Sequence, residues 1–436
     1  MHRLFFSSRC WSVILPAILA GSVLGIAGCG SGSSSSSSSG GNNIAPAAAN
    51  VAAIVVDSGP TALTDMGSGY VNGAFVSVTV CNPSATTSCQ TIDHVLVDTG
   101  SIGLRLLSVT GDGEFSLDLP NQTDTAGNPL SECALFADNV SYGSVRLANV
   151  QISGEKASNV PMQVIGDLTS IPVDCASAGP IEDTLATLGA NGILGVGPFP
   201  QDCGEGCLTS VTENSAIYYS CPTSGCVDTI LTSVAQEVTD PVVLFPTDNN
   251  GVIVELPSIP IAGANNVAGS LVFGINTESN NGLGAATVFP LDTGTGNLVT
   301  IFGGSQLNEC GFVSSSGQPV CGFIDSGTNT FATVDPSLLA CSDNTSFACT
   351  NKTYSGSTVE NEGATGSPTQ GVSFSVESAD TLFGQSNCCT AYNDLAAPGG
   401  GTTWDWGLPL FFGRNIYSSI EGQTVSGQTA SPFVAY

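Results

Sequence analysis

The spacing of apolar residues restricts the fold of this chain more than any other feature. Between residues 50 and 436 they come in short runs, many β-branched: Val51 to Val56, Phe75 to Val80, Val95 to Val97, Val252 to Leu256 and Leu271 to Phe273. Gly, Asn, Asp and Pro separate the runs. Such runs, bounded by turn residues, predict strands, so an all-β fold is expected. The clearest helical pattern is Asp228 to Val238, where Ile230, Leu231, Val234 and Val238 follow a period near 3.6 behind a leading Asp; a helix is expected there. No repeat of fixed period is visible, although motifs recur loosely between the two halves.

Charge narrows the chemistry. The 436 residues include 36 acids, 7 bases and 2 histidines, a net charge of −29. Nucleic acid is excluded as a partner, because phosphates require clustered Lys and Arg. General disorder is excluded by 42% hydrophobic residues, enough to bury a core. His2 lies in a removable leader, which leaves His94 alone. A zinc site of several histidines is therefore not available, and a Ser-His-Asp or Cys-His mechanism would rest on His94. No metal or cofactor is expected, and catalysis would run on carboxylates.

Residues 1–28 read as a secretory signal, with Arg3 and Arg9 before the apolar stretch Trp11 to Ala27. The stretch ends in Ile26-Ala27-Gly28-Cys29, which resembles a bacterial lipobox. That resemblance implies a lipid on Cys29 and, with Gly30 following, an outer-membrane or cell-surface location. Residues 29–49, rich in Ser and Gly, read as a flexible tether. Cys10 and Cys29 set aside, fourteen cysteines remain, which in an exported chain predicts up to seven disulfides. Cys81/Cys89, Cys203/Cys207, Cys221/Cys226 and Cys310/Cys321 look like local staples. The adjacent Cys388 and Cys389 are expected to pair elsewhere, with Cys341 and Cys349 as plausible partners.

Asp-[Ser/Thr]-Gly occurs four times, at Asp57, Asp98, Asp292 and Asp325. Most such triplets are turns. Two have a distinctive context: His94-Val-Leu-Val-Asp98-Thr-Gly-Ser101 and Cys321-Gly-Phe-Ile-Asp325-Ser-Gly-Thr328. In each, an apolar strand runs into an acid, a tight turn and a fourth-position hydroxyl. Each half also has a later apolar run ending in glycine, Ile193-Leu-Gly195 and Leu410-Phe-Phe-Gly413. Asp57-Ser-Gly-Pro60 lacks the fourth hydroxyl, and Asp292-Thr-Gly-Thr-Gly296 reads as a hairpin turn.

Over residues 50–436 this combination resembles the pepsin-like aspartic peptidases, and most of all a bacterial group of exported members. The resemblance implies a bilobal fold of two related β-barrel-like lobes, 50–275 and 276–436, with a cleft between them. It implies Asp98 and Asp325 as the catalytic pair. Thr99 and Ser326 would cross-brace the loops, Gly100 and Gly327 would permit close approach, and Ser101 and Thr328 would bond the outer carboxylate oxygens. Tyr142, in Tyr142-Gly143-Ser144, stands where the family has its flap tyrosine. Arg105 is a departure: the family usually has tryptophan seven residues after the first acid, so Arg105 either pairs with an acid or marks a different flap. His94 is either a modifier of the pair or a packed histidine. Residues 200–226, with four cysteines, look like an insertion that shapes the cleft or covers an edge.

The function expected is aspartic endopeptidase action on peptide or protein, by a monomer held to the membrane through its N-terminal lipid. No Lys or Arg lies between Cys29 and the first strand, so a basic inhibitory segment is not expected, and acid pH is expected to limit activity. The alternatives are a non-catalytic surface protein whose cleft binds peptide or glycan, and a structural envelope lipoprotein.

Overall fold

The computed structural model describes residues 44–211, 216–384 and 389–436. The signal, Cys29 and most of the tether lie outside the described residues. The tether's last residues are docked: the Ala45 N–H donates to Glu255 Oε2 at 2.6 Å, and Ser270 Oγ donates to the Ala45 carbonyl at 3.1 Å.

The structure is mainly β. Among the described residues the α-helices are short: Thr61–Asp65, Val173–Ala178, Leu185–Leu188 and Ala379–Phe383. None is long and apolar enough to cross a membrane. In the first half six strands pair in a ring, in the order Gly73–Asn82, Ala85–Asp98, Gly192–Val196, Ile102–Leu107, Glu155–Ile165 and Val140–Ile152. Pairing of Thr79 with Gln151 closes it. Every second residue points inward, which is why Val76, Val78 and Val80 share one core with Leu104, Leu106, Val150, Ile152, Met162 and Leu194.

From this ring the sheet continues through Val51–Asp57, Val267–Phe273, Gly251–Leu256, Arg414–Ser419, Phe433–Ala435 and Val288–Pro290. One sheet thus joins the first half to the end of the chain. The second half adds smaller sheets, among them Gly322–Phe323, Trp404–Trp406 and Phe331–Ala332 side by side. Trp404 and Trp406 are fully buried, against Phe331 and Phe374.

Some expectations are corrected. No α-helix forms over Asp228 to Val238; only Val234–Gln236 makes a 3-10 turn, capped by Ser233. The Thr229 and Leu231 N–H groups donate to the Tyr218 and Cys207 carbonyls instead. A short, β-branched segment has too little helical stability to resist that pull. The four local disulfides form as expected, and Cys133 pairs with Cys175. Cys341 pairs with Cys349, not with the later pair, because their strands bridge at Ala340 and Ala348 and bring the two Cα atoms to 4.8 Å. Cys389 is disulfide-bonded, and Cys388 lies outside the described residues. Asp292 turns the chain, but its flanking strands pair elsewhere, with Phe433–Ala435 and with Val359–Glu362, so it is not a hairpin. The insertion covers an edge: Ala216–Ser220 lies beside Leu130–Leu135.

Candidate active site

Asp98 ends the strand Ala85–Asp98, and Asp325 follows the strand Gly322–Phe323. Both are buried, and the fold brings their loops back to back. Each loop closes on its own acid. The Gly100 N–H donates to Asp98 Oδ1 at 2.8 Å and the Ser101 hydroxyl to Oδ2 at 2.6 Å. The Gly327 N–H donates to Asp325 Oδ1 at 2.7 Å and the Thr328 hydroxyl to Oδ2 at 2.8 Å.

The loops are also tied to each other. The Thr99 N–H donates to Ser326 Oγ at 3.1 Å, and the Ser326 N–H donates to Thr99 Oγ1 at 3.0 Å. Each hydroxyl then donates across, Thr99 to the Ile324 carbonyl at 3.2 Å and Ser326 to the Val97 carbonyl at 2.7 Å. Both glycines are required by the approach. A Cβ on Gly100 would lie 2.5 Å from Asp325 Cγ, and one on Gly327 would lie 2.6 Å from Asp98 Cγ.

Asp325 is held well above the usual carboxylate range, first by burial, then by the charges of Asp98 and Asp405; a hydrogen bond to Asp98 adds to this. Ionising two carboxyl groups so placed in a buried site is costly. A cavity of about 40 Å³ beside Asp325 and Gly100 is lined in part by Phe199, Leu291, Phe323 and Ile416. It has room for a few waters.

A strand lies beside each acid. Gly192–Val196 runs parallel to the Asp98 strand, with Gly195 opposite Asp98. In the second half Trp404–Trp406 runs parallel to Gly322–Phe323, with Asp405 opposite Phe323. That register puts Gly407 beside Asp325, so the expected Leu410-Phe-Phe-Gly413 is not the counterpart of Ile193-Leu-Gly195. Gly413 instead precedes the strand Arg414–Ser419, its N–H bonded to the Leu256 carbonyl at 3.0 Å. Asp405 between two tryptophans hid the true segment, because it breaks an otherwise apolar run.

The described side-chain contacts of Tyr142 are with other residues than the two acids. It pairs with Cys133 inside the sheet, its hydroxyl lies 3.0 Å from Ser131 Oγ, and its ring packs edge-on to Tyr219. The added strand Ala216–Ser220 and the Cys133–Cys175 bridge make this hairpin an interior ribbon of the sheet. Arg105 pairs with acids: Nη2 donates to Glu132 Oε1 at 2.6 Å and to Asp202 Oδ2 at 3.0 Å, all three buried. Burial works against its charge, but the acids outweigh burial and raise it. Burial and then Glu132 push Asp202 well above the usual range. Asp202 also accepts the Tyr218 hydroxyl at 2.9 Å. His94 belongs to a different group, 3.2 Å from Asp57 and 3.0 Å from Asp93. The Asp57 hydrogen bond leads in raising it to about 9, against burial and with help from Asp93. Asp57 and Asp292 serve turns, accepting the Gly59 and Gly294 N–H groups.

Residues 46–436 match the family described as protein of unknown function (DUF3443). The chain belongs to that family. Among solved structures, the aspartic proteinase from Irpex lacteus is similar over 89% of this chain and 96% of that one, at 15% identity and a TM-score of 0.45. No curated protein matches. For this family member, Asp405, Gly407, Glu132 and Asp202 are the residues at or near the site that motif reading missed. Only Gly407, two residues after the parallel-paired Asp405, left a signal in sequence.

Proposed function

We propose that this protein is an aspartic endopeptidase with a pepsin-like bilobal architecture, acting outside the cytoplasm on peptide or protein. One observation carries the reading: the reciprocal Thr99–Ser326 hydrogen bonds that hold Asp98 and Asp325 against each other. In the proposed reaction the pair carries one proton. The ionised carboxylate takes a proton from a water lying between the acids, and that water attacks the peptide carbonyl. The protonated carboxyl donates to the carbonyl oxygen. The proton gained by the base then passes to the leaving amine, and as the C–N bond breaks one hydroxyl of the tetrahedral diol returns its proton to the other carboxylate, which restores the single shared proton. The six disulfides between described residues fit an oxidising compartment. The lipid on Cys29, an envelope location and a monomeric state complete the proposal.

The test is cleavage of denatured protein at acid pH by the mature chain, with block by a pepstatin-type inhibitor. Asp98→Asn and Asp325→Asn are each expected to lower kcat/KM by at least roughly 100-fold. Undiminished cleavage by both variants would sink the reading. A non-catalytic peptide-binding protein is the second reading, favoured by the small cavity beside Asp325 and the buried Tyr142. Peptide binding without turnover at any pH would select it.

A further inference from the structure

Of the buried acids that the peptidase mechanism does not use, Asp405 is the one whose charge acts on Asp325. Asp405 lies in the strand Trp404–Trp406, between the strand that leads into Asp325 and the strand that leads away from it. It is 2% exposed. Its Oδ1 accepts the Gly407 N–H at 3.0 Å, and the Thr328 side chain hydrogen-bonds to it.

The fold does not demand an acid here. Ile193 stands opposite Leu96 in the parallel pairing of the first half, as Asp405 stands opposite Phe323 in the second. Leu96 and Phe323 are each two residues before their acid. The first half therefore fills the equivalent place with a buried isoleucine. Across the other pairing Asp405 faces Ala332, which brings no charge. The titratable groups around Asp405 are Asp98 and, through Thr328, Asp325. Asp405 is thus a buried acid with no described cation against it, one hydroxyl away from the catalytic pair.

Thr328 has a single hydroxyl proton and two carboxyl neighbours. It can donate to Asp325 or to Asp405, but not to both at once. We propose that Asp405 is a positioning residue for the reaction, acting through the Thr328 hydroxyl on the protonation of Asp325. When Asp405 is neutral it donates to Thr328, and the Thr328 proton goes to the outer oxygen of Asp325. When Asp405 is ionised it competes for that proton and sets a negative charge behind Asp325. Both effects make Asp325 keep the shared proton to higher pH. Asp405 therefore extends the active range upward. The inference rests on the peptidase reading for its consequence, though not for the coupling itself.

The experiment compares the mature wild-type chain with Asp405→Asn. The carboxamide keeps an acceptor for Gly407 and a donor for Thr328 but cannot ionise. The alkaline limb of kcat/KM against pH is expected to move to lower pH by roughly one unit, with the rate at the optimum within a few-fold. A profile that superimposes on wild type after scaling would overturn the proposal, since a purely structural role only scales it. The ¹³C titration of the Asp325 carboxyl, read in the same two proteins, is expected to move in the same direction. An unmoved titration overturns the coupling. This second readout separates the two failures: a wild-type chain with no peptidase activity defeats the peptidase reading, while the titration still decides the role of Asp405. Asp405→Ile, which copies Ile193, is the second variant and is expected to shift the limb the same way. Failure of both variants to fold would mark Asp405 as structural and overturn the proposal too.

Discussion

The loop at Asp98 and the loop at Asp325 bond their acids in the same way, but the strands behind them carry different charges. In the first half Ile193 pairs with Arg105. In the second half Asp405 pairs with Ala332. Arg105 and Ala332 are each seven residues after their acid. Each half has therefore placed one charged residue in the same cross-strand pair, of opposite sign and on opposite strands. Arg105 points into a buried group of Glu132, Asp202 and Tyr218. Asp405 has no described cation and bonds to Thr328. The conserved geometry within the molecule is thus the loop itself, while its support differs: an ion network in one half, a third carboxyl in the other.

The largest effect expected from breaking this comparison is on the ion network. Arg105→Met would leave Glu132 and Asp202 buried without their cation and destabilise the protein by about 3–5 kcal/mol at neutral pH. Denaturant unfolding checks this, and the loss should shrink in acid, where the two acids can be protonated. The loops themselves should respond alike. Gly100→Ala and Gly327→Ala would each push a methyl onto the opposite carboxylate, and each is expected to lower kcat/KM by roughly 100-fold or more. A tenfold or greater difference between these two variants would show that the halves are not equivalent at the acids.

Stability against pH sharpens the contrast further. Asp325 and Asp405, like Asp202 and Asp240, are raised, with burial as the first cause in each. Asp394 is raised to about 6, again chiefly by burial. For an acid held above its unfolded value, the native state binds the extra proton, so stability falls as pH rises from the unfolded value through the folded one. His94, raised to about 9, adds stability that is fully present below its unfolded value of 6.5 and lost as pH rises through about 9. Asp124 and Asp335 act in the other direction. Both are lowered to about 2, Asp124 first by the Ser220 hydroxyl; for Asp335 burial pushes upward but is outweighed by Lys352 and its other donors together. Their contribution is present above the unfolded value and lost as pH falls toward 2. Tm is therefore expected to be higher near pH 5 than near pH 8, and to drop again near pH 2. A Tm that rises from pH 5 to 8 would contradict the buried-acid argument.

Smaller effects concern the crosslinks and the hairpin. Removing Cys133–Cys175, which spans 42 residues, should cost about 1 kcal/mol more than removing Cys310–Cys321, which spans 11. Equal losses in denaturant unfolding would show that strain or residual structure, not loop length, governs them. Tyr142→Phe removes one buried hydroxyl contact with Ser131 and should cost about 1 kcal/mol of stability. Its kcat/KM should stay within a few-fold of wild type; a larger loss would return Tyr142 to a role over the cleft.

What was legible in the sequence was local. The turn chemistry of Asp57 and Asp292 could be read from their neighbours, and so could the four staples between nearby cysteines. The roles of Thr99, Ser326, Gly100 and Gly327 came with the motif, and the hydrogen bonds agree with them. What was not legible depended on partners far along the chain. Strand alternation alone puts His94 on the face of Asp98, but a register shift in the strand there, with His94 at φ 44°, leaves it bonded to Asp57. Gly413 had the better apolar run, yet the parallel register chose Gly407.

By itself the sequence determined that the chain would be built of strands and would carry two acids on matching turns, because alternation and turn geometry are properties of a few adjacent residues. Only the tertiary structure decided which strand lies beside each acid, what balances Arg105, and that Asp405 stands behind Thr328. Those outcomes follow from registers between segments far apart in the chain, and a register is fixed by packing over the whole sheet.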